Sequence, residues 1–278
     1  MGDTAGQIET LVPDKLYALG ATVENDGLIS WVAPGLAGQV PLNSFLLTEG
    51  TAGLMIDTSL PVIGDELVRQ AASFELEQVA LVFTRVVEFD SVGNAELLEQ
   101  VLPIDVVYSH FLPSQWMYFR ATPDPPPRRW HEPRPLLDRE EISLGGERRV
   151  TVIDAKLKLL ATAWLYDHET QALFTSDAFS HALAPEPGRR VLTQPQDETT
   201  LQDVTMHLRT KFDWLEDADT EPLRRFLDDV FSTFDVQSIA PTFGCVLAGG
   251  PLVQRHLSLV DEALRDLGRS GATAGAGR

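Results

Sequence analysis

The chain predicts an α+β fold, an αββα sandwich in which two sheets pack face to face with helices outside. Two observations carry this. Segments that read as strands and then as helices occur twice along the chain, which implies two similar halves. Each half also supplies short apolar stretches bounded by Gly, Pro, Asn or Asp, the pattern of strands joined by turns. A chain of 278 residues with 44% hydrophobic content is ordinary for a single domain with a sizeable core.

The elements follow in order. LYALGATV, LISWVAP, NSFLLTE and AGLMIDT predict a β-meander. After Asp57, Ile63, Leu67, Val68 and Ala71 recur at helical spacing. VALVF predicts a buried strand, and AELLEQVL a helix to Leu102. IDVVYS then returns as a strand in the βαβ manner. Residues 122–135 hold six prolines in fourteen positions, which excludes a helix and a central strand. They predict an extended loop, whether surface loop, lid or interface arm, with Trp130 available to an interface. ISLGGERRVTVID restarts the strands. KLLATAWLYDHETQALFTSD predicts a hairpin around DHETQ.

Residues 185–204 are polar and loop-like. Thr220 to Phe231 predicts a helix with Pro222 near its start and Leu223, Phe226, Leu227 and Val230 on one face. SIAPTFG reads as a short strand running into a loop. Pro251 to Leu267 predicts a last helix. The tail GRSGATAGAGR reads as disordered. The expected division is a leader over 1–14, one domain over 15–268 and a tail over 269–278.

Charge and cysteine content narrow the function classes. Lys and Arg number 22 against 41 Asp and Glu, a net charge of −19. Such a surface repels phosphate backbones and anionic membranes, so neither nucleic acid nor membrane is an expected partner. The lone Cys245 excludes an intramolecular disulfide framework and a cysteine-only zinc site, and reads as a small buried residue. The N-terminus has no basic and apolar secretory pattern, and no apolar run is long enough to span a bilayer. The expected location is cytoplasmic.

Three strand ends carry candidate chemistry. The loop TRVVEFDSVGN, Thr84 to Asn94, holds Glu88 and Asp90 after VALVF. LFTSDAF places Asp177 at the end of a second apolar strand. IAPTFG places Phe243 before Gly244 at the end of a third. In a sandwich, loops on one edge converge on one pocket.

At these residues the chain resembles the metallo-β-lactamase superfamily, and within it the di-iron domain of flavodiiron proteins. NSFLL and LMIDTS match the superfamily's opening pattern. The family's metal loop runs His-x-Glu-x-Asp-His and then Gly. By this resemblance Val86 stands at the first histidine, Glu88 and Asp90 at the carboxylates, and Ser91 at the second histidine. Asp177 matches the bridging aspartate, Lys158 a further histidine position, and Phe243 the last histidine. The likeness spans residues 15–268 and includes no flavodoxin-like extension.

The resemblance implies a cavity for two metal ions from which the matched imidazoles are gone. Glu88, Asp90 and Asp177 alone suit at most one hard divalent cation, not an iron pair. The expected substitute for metal is an ammonium from Lys158 among the carboxylates, with Arg85 adding a second cation. The function so implied is a degenerate, non-catalytic or altered-function subunit or sensor in redox or oxygen response, with no cofactor and with a redox or signalling partner. Two alternatives stand beside it: an active di-iron oxygen or nitric oxide reductase or oxygen-binding protein, and a single-metal hydrolase. The resemblance also implies a homo-oligomer, a dimer above all.

The histidines read as ordinary. His181 follows Asp177 by four residues, so on a helix the two share a face; it reads as an ordinary surface side chain, with approach to a metal as the alternative, and capping of that helix is the alternative role for Asp177. His110 ends a strand near the pocket mouth. His131, His168, His207 and His256 read as structural or solvent-facing.

Overall fold

The computed structural model describes residues 6–25, 32, 38–85, 88–110 and 132–275. Its first sheet takes β1 (Glu9–Val12), β2 (Leu16–Glu24), β3 (Gln39–Glu49), β4 (Ala52–Ile56), β5 (Gln78–Val82), β6 (Ile104–Ser109) and β7 (Glu132–Pro135) in sequential order. Pairing is antiparallel from β1 to β4. It is parallel from β4 to β7, where chain segments must cross over between strands. The expected meander is therefore present in β2, β3 and β4. All of LISWVAP except Val32 lies outside the described residues. The proline-rich segment supplies β7, an edge strand, which is where a sheet tolerates proline. Its residues 122–131, with Trp130 and His131, lie outside the described residues.

The second sheet is built from β8 (Glu141–Gly145), β9 (Arg148–Asp154), β10 (Ala163–Asp167), β11 (Ala172–Ser176), β12 (Val191–Leu192), β13 (Ser238–Pro241) and β14 (Val246–Ala248). Its order is β12-β14-β13-β11-β10-β9-β8. The predicted hairpin around DHETQ is β10 and β11, with Leu165 opposite Phe174.

Alternation along the strands builds three apolar layers. Phe45, Leu47, Leu54 and Ile56 face inward and meet Val152, Leu165 and Phe174 of the second sheet. Their neighbours Leu46 and Met55 face outward onto Leu67 and Ala71 of helix α1 (Gly64–Ala71). In the second sheet Trp164 and Leu173 likewise face outward onto helices α4 (Leu201–Lys211), α5 (Glu221–Thr233) and α6 (Gly250–Gly275). Strands covered on both faces need apolar residues at nearly every position, which is why VALVF and LLATAWLY read as continuous runs. The αββα sandwich is the observed architecture. Among the described residues no helix is long and apolar enough to cross a membrane.

Several expectations need correction. The helix predicted up to Leu102 is two short turns, α2 (Phe89–Val92) and α3 (Ala95–Leu98), separated by Gly93 and Asn94. The backbone leaves the helical region at Asn94, with φ −114° and ψ 12°, and Gly93 before it is closely packed: a Cβ there would lie 2.4 Å from the Phe89 carbonyl oxygen and 2.8 Å from that of Ser59. The stretch 185–204 contains β12 and the start of α4, not loop alone. The last helix runs on to Gly275, past Leu267 and into the segment read as disordered. Propagation of a helix already anchored by packing costs little per residue.

Candidate functional site

The strand ends do converge. Beyond β4 the chain turns at Asp57, which takes a left-handed backbone with φ 56°, and again at Ser59 with φ 57°. Asn94 holds this turn by donating from Nδ2 to the carbonyls of Thr58 (2.7 Å) and Leu60 (2.9 Å). Thr58 in turn donates its N–H to the Ser91 carbonyl at 2.9 Å. The loop after β5 is thus stitched to the loop after β4. On the second sheet, Ser176 is also left-handed, φ 55°. Its carbonyl accepts from the N–H and the hydroxyl of Thr242, each at 2.7 Å, which fixes Asp177 beside Phe243. Left-handed non-glycine residues are costly singly and tend to gather at functional sites.

Arg85 occupies the centre. It sits one residue beyond Thr84, whose carbonyl accepts the Ala163 N–H at 2.8 Å and so docks the loop on the second sheet. Arg85 Nη1 donates to Asp177 Oδ2 at 2.7 Å, and its Nη2 forms a close ion pair with Asp90 Oδ2. Lys211, from the last turn of α4, brings Nζ to 3.3 Å from the same Asp177 oxygen. Relative exposures are 2% for Arg85, 1% for Asp90, 1% for Asp177 and 7% for Lys211, so water screens none of these charges effectively. Phe243 covers the cluster, its ring centroid 5.7 Å from both the Arg85 guanidinium carbon and Lys211 Nζ. Two carboxylates and two cations close the local charge balance. Burial opposes the charge on Arg85, but the Asp177 and Asp90 carboxylates outweigh it and raise its pKa.

Asp57 lies behind this cluster and is a functional candidate that motif reading passed over. It accepts from the Thr84 N–H at 2.8 Å, from the Thr84 hydroxyl at 2.5 Å and from the Ser91 hydroxyl. Burial first, and then the Asp90 charge, push its carboxyl up to about 7 despite those three donors. The signal was present in the IDT of LMIDTS, but a single aspartate after a strand does not announce a titrating group.

The residues proposed from sequence divide as follows. Asp90, Asp177 and Phe243 are brought together, and Ser91 lies one layer behind on Asp57. Glu88 is half-buried at the start of α2 and reaches the cluster through its field on Arg85. Val86 lies outside the described residues. Lys158 is a correction: its Nζ pairs with Asp154 Oδ1 at 2.5 Å, and the side chain is 29% exposed. Being four residues past a strand-end aspartate, it finds a nearer and better solvated partner than the buried carboxylates. The ammonium in the cluster belongs to Lys211.

His181 is a further correction. His181 lies in a turn, not on a helix, and is buried with His207 and His256. Its Nε2 is 2.8 Å from His256 Nδ1, and His256 Nε2 is 3.2 Å from Asp197 Oδ1. Burial, with the neighbouring histidines and Arg255 acting in the same direction, holds the His181 pKa well below the usual range. Burial likewise lowers His207 to about 4. His110 is half-buried at the end of β6, and burial lowers its pKa too. His168 lies 2.8 Å from the Thr151 hydroxyl. Cys245 is buried as expected, its thiol pushed by burial up to about 12.

An iron pair needs several neutral imidazoles and bridging oxygens around a central space. Here Asp177 accepts from Arg85 and pairs with Lys211, while Phe243 and Ser91 supply no ligand of that kind. Among the described residues no group of three or more His, Cys, Asp or Glu could hold a metal ion. Among the described residues, the side chains gathered here do not make the ligand set of a di-iron centre.

The architecture and its three converging loops define the metallo-β-lactamase-like fold. More closely, it is the fold of the flavodiiron core. The chain is similar to the metal-soaked Flv1 flavodiiron core from Synechocystis sp. PCC6803, with a TM-score of 0.69 and 16% identity over 95% of this chain and 62% of that one. It is similar to a putative diflavin flavoprotein fragment (1–254) from Nostoc sp. PCC 7120, with a TM-score of 0.69 and 16% identity over 99% and 100%. Rubredoxin oxygen:oxidoreductase from Desulfovibrio gigas gives a TM-score of 0.64 and 16% identity over 93% and 62%. At these identities the likeness is one of fold. The chain spans about three-fifths of the length of the first and third of these proteins. No family model and no curated protein matches it.

Proposed function

We propose that this is a flavodiiron-like protein whose dinuclear metal position has been taken over by an internal ion cluster, and that it acts as a non-catalytic or altered-function subunit or sensor in redox or oxygen response. The observation that carries the reading is Arg85, placed between Asp90 and Asp177. A guanidinium bonded to both carboxylates competes directly with a divalent cation for the same oxygens. Lys211 adds a second positive charge 3.3 Å from Asp177. Among the described residues no ligand set for redox chemistry at iron is assembled here, and a single hard metal would have to displace two buried cations.

The partner in this reading is a protein, either a second copy of the chain or a redox or signalling protein. The deciding experiment is elemental analysis of protein produced in iron-supplemented medium. The expected iron content is far below one atom per chain. Two retained irons per chain, with a visible iron–oxo absorption in air, would overturn the proposal.

A further inference from the structure

Beside the ion cluster, and separated from it by Phe243, lies a second pocket of about 260 Å³. Val40, Leu183, Met206 and Phe243 give it an apolar wall, and Glu198 and Asp203 stand among its acidic lining residues. His181 and His207 also line it, with relative exposures of only 7% and 9%. Their rings are 5.9 Å apart.

Hydrogen bonding sets the state of both imidazoles. The Asp197 carboxylate accepts, so His256 carries its proton on Nε2 and offers Nδ1 as an acceptor. His181 must then donate from Nε2, which leaves its Nδ1 as a lone pair. The Asp177 backbone acts on His207 as an acceptor that opposes the effect of burial, and since Nε2 has no partner among the described residues, the proton is assigned to Nδ1 on that side. His181 Nδ1 and His207 Nε2 are therefore two buried acceptors, and neither has a partner among the described residues. Buried acceptors without donors are costly, and a ligand that supplies donors relieves the cost.

We propose that this pocket binds a small organic amine, whose N–H groups donate to His181 Nδ1 and His207 Nε2 and whose apolar body packs on Met206 and Phe243. Glu198 and Asp203 match the ligand's positive charge. Imidazoles whose other nitrogen is tied to a carbonyl or to a carboxylate relay also suit transition metals. The organic ligand is favoured because no third side-chain ligand completes a metal site among the described residues, and because the cavity is far larger than an ion and has an apolar wall.

The probe is benzylamine, titrated into the full chain with the histidine ¹⁵N resonances observed. Benzoate and zinc chloride are run as parallel arms. Benzylamine should shift the unprotonated nitrogen signals of His181 and His207, and benzoate should not. His207→Gln should weaken benzylamine binding about tenfold or more, the loss of one hydrogen bond to a charged donor. Met206→Trp, which adds bulk to the pocket wall and keeps both histidines in place in the sequence, should abolish binding and serves if His207→Gln does not fold. No benzylamine binding, equal binding of benzoate, binding that survives Met206→Trp, or zinc bound at both nitrogens without competition from benzylamine would each overturn the proposal.

Discussion

Arg85 is the residue on which the site turns. Removing it strands Asp90 and Asp177 as buried charges with Lys211 alone to balance them. Breaking a buried ion cluster in this way costs about 3–5 kcal/mol. Arg85→Ala should therefore lower unfolding stability in urea by about that amount. It also vacates the space between the carboxylates, so Mn²⁺ should recover part of the loss in the variant and do little for the parent. A parent stabilised by Mn²⁺ as strongly as the variant would contradict the assignment. Asp57 gives a second test, through pH. Its folded-state pKa of about 7 lies above the unfolded value of 3.8, so its contribution is full below the unfolded value and is lost as pH rises through about 7. His207 runs the other way. Its folded-state value of about 4 lies below the ordinary 6.5, so its contribution is present above 6.5 and is lost as pH falls through about 4. The two slopes oppose each other in the parent. Asp57→Asn removes one, so the stability difference between parent and variant should shrink as pH rises from about 4 to about 7, by a few kcal/mol in order of magnitude. A difference independent of pH would mean that Asp57 does not titrate in the fold.

At the scale of elements, helix α4 matters most, because it carries His207 and Lys211 to the site. It is held at its start by a reciprocal cap in which the Thr200 hydroxyl accepts the Asp203 N–H and the Asp203 carboxylate accepts the Thr200 N–H. Thr200→Ala should cost about 1 kcal/mol of stability, read from the denaturation midpoint, and loosen the position of Lys211. This helix was hard to read in sequence for a physical reason. Its buried face is Val204, His207, Leu208 and Lys211, so two of its four core-facing positions are polar and the apolar period is broken. The Thr-x-x-Asp cap was the available signal. Helix α5, by contrast, buries Leu223, Leu227 and Val230 and was legible from spacing alone. The α2–α3 break was not legible because Asn94, where it falls, is held by bonds to the distant Thr58 and Leu60 carbonyls, and Gly93 beside it has a steric role. Gly93→Ala would push a Cβ against two backbone oxygens, and about 1–3 kcal/mol of destabilisation should follow in the same assay.

For the whole molecule, strand patterning and the three strand-end motifs made the sandwich and the position of the site legible, because both follow from local chain chemistry. Which cation would fill the site was not legible. Lys158 and Lys211 are equally basic in a one-dimensional reading, and only the fold of α4 across the second sheet decides between them. Surface charge is a global property that sequence does yield directly, and it leads to a further test. A net charge of −19 on a folded chain repels itself, and folding concentrates that repulsion. Partly exposed surface ion pairs such as Lys15 with Glu49 and Arg224 with Asp261 act against it, yet each is worth about 1 kcal/mol or less. The central cluster is buried, so added salt reaches it weakly. Raising NaCl from about 0.01 M to about 1 M shortens the screening length from about 30 Å to about 3 Å and removes most of the long-range repulsion. The thermal midpoint should therefore rise with salt, in the parent and in Arg85→Ala alike, leaving the difference between them nearly constant. A midpoint that fell with salt would mean that surface ion pairs, and not net repulsion, dominate the electrostatics. A difference that collapsed with salt would place Arg85 in contact with solvent and remove the basis for a sealed ion cluster.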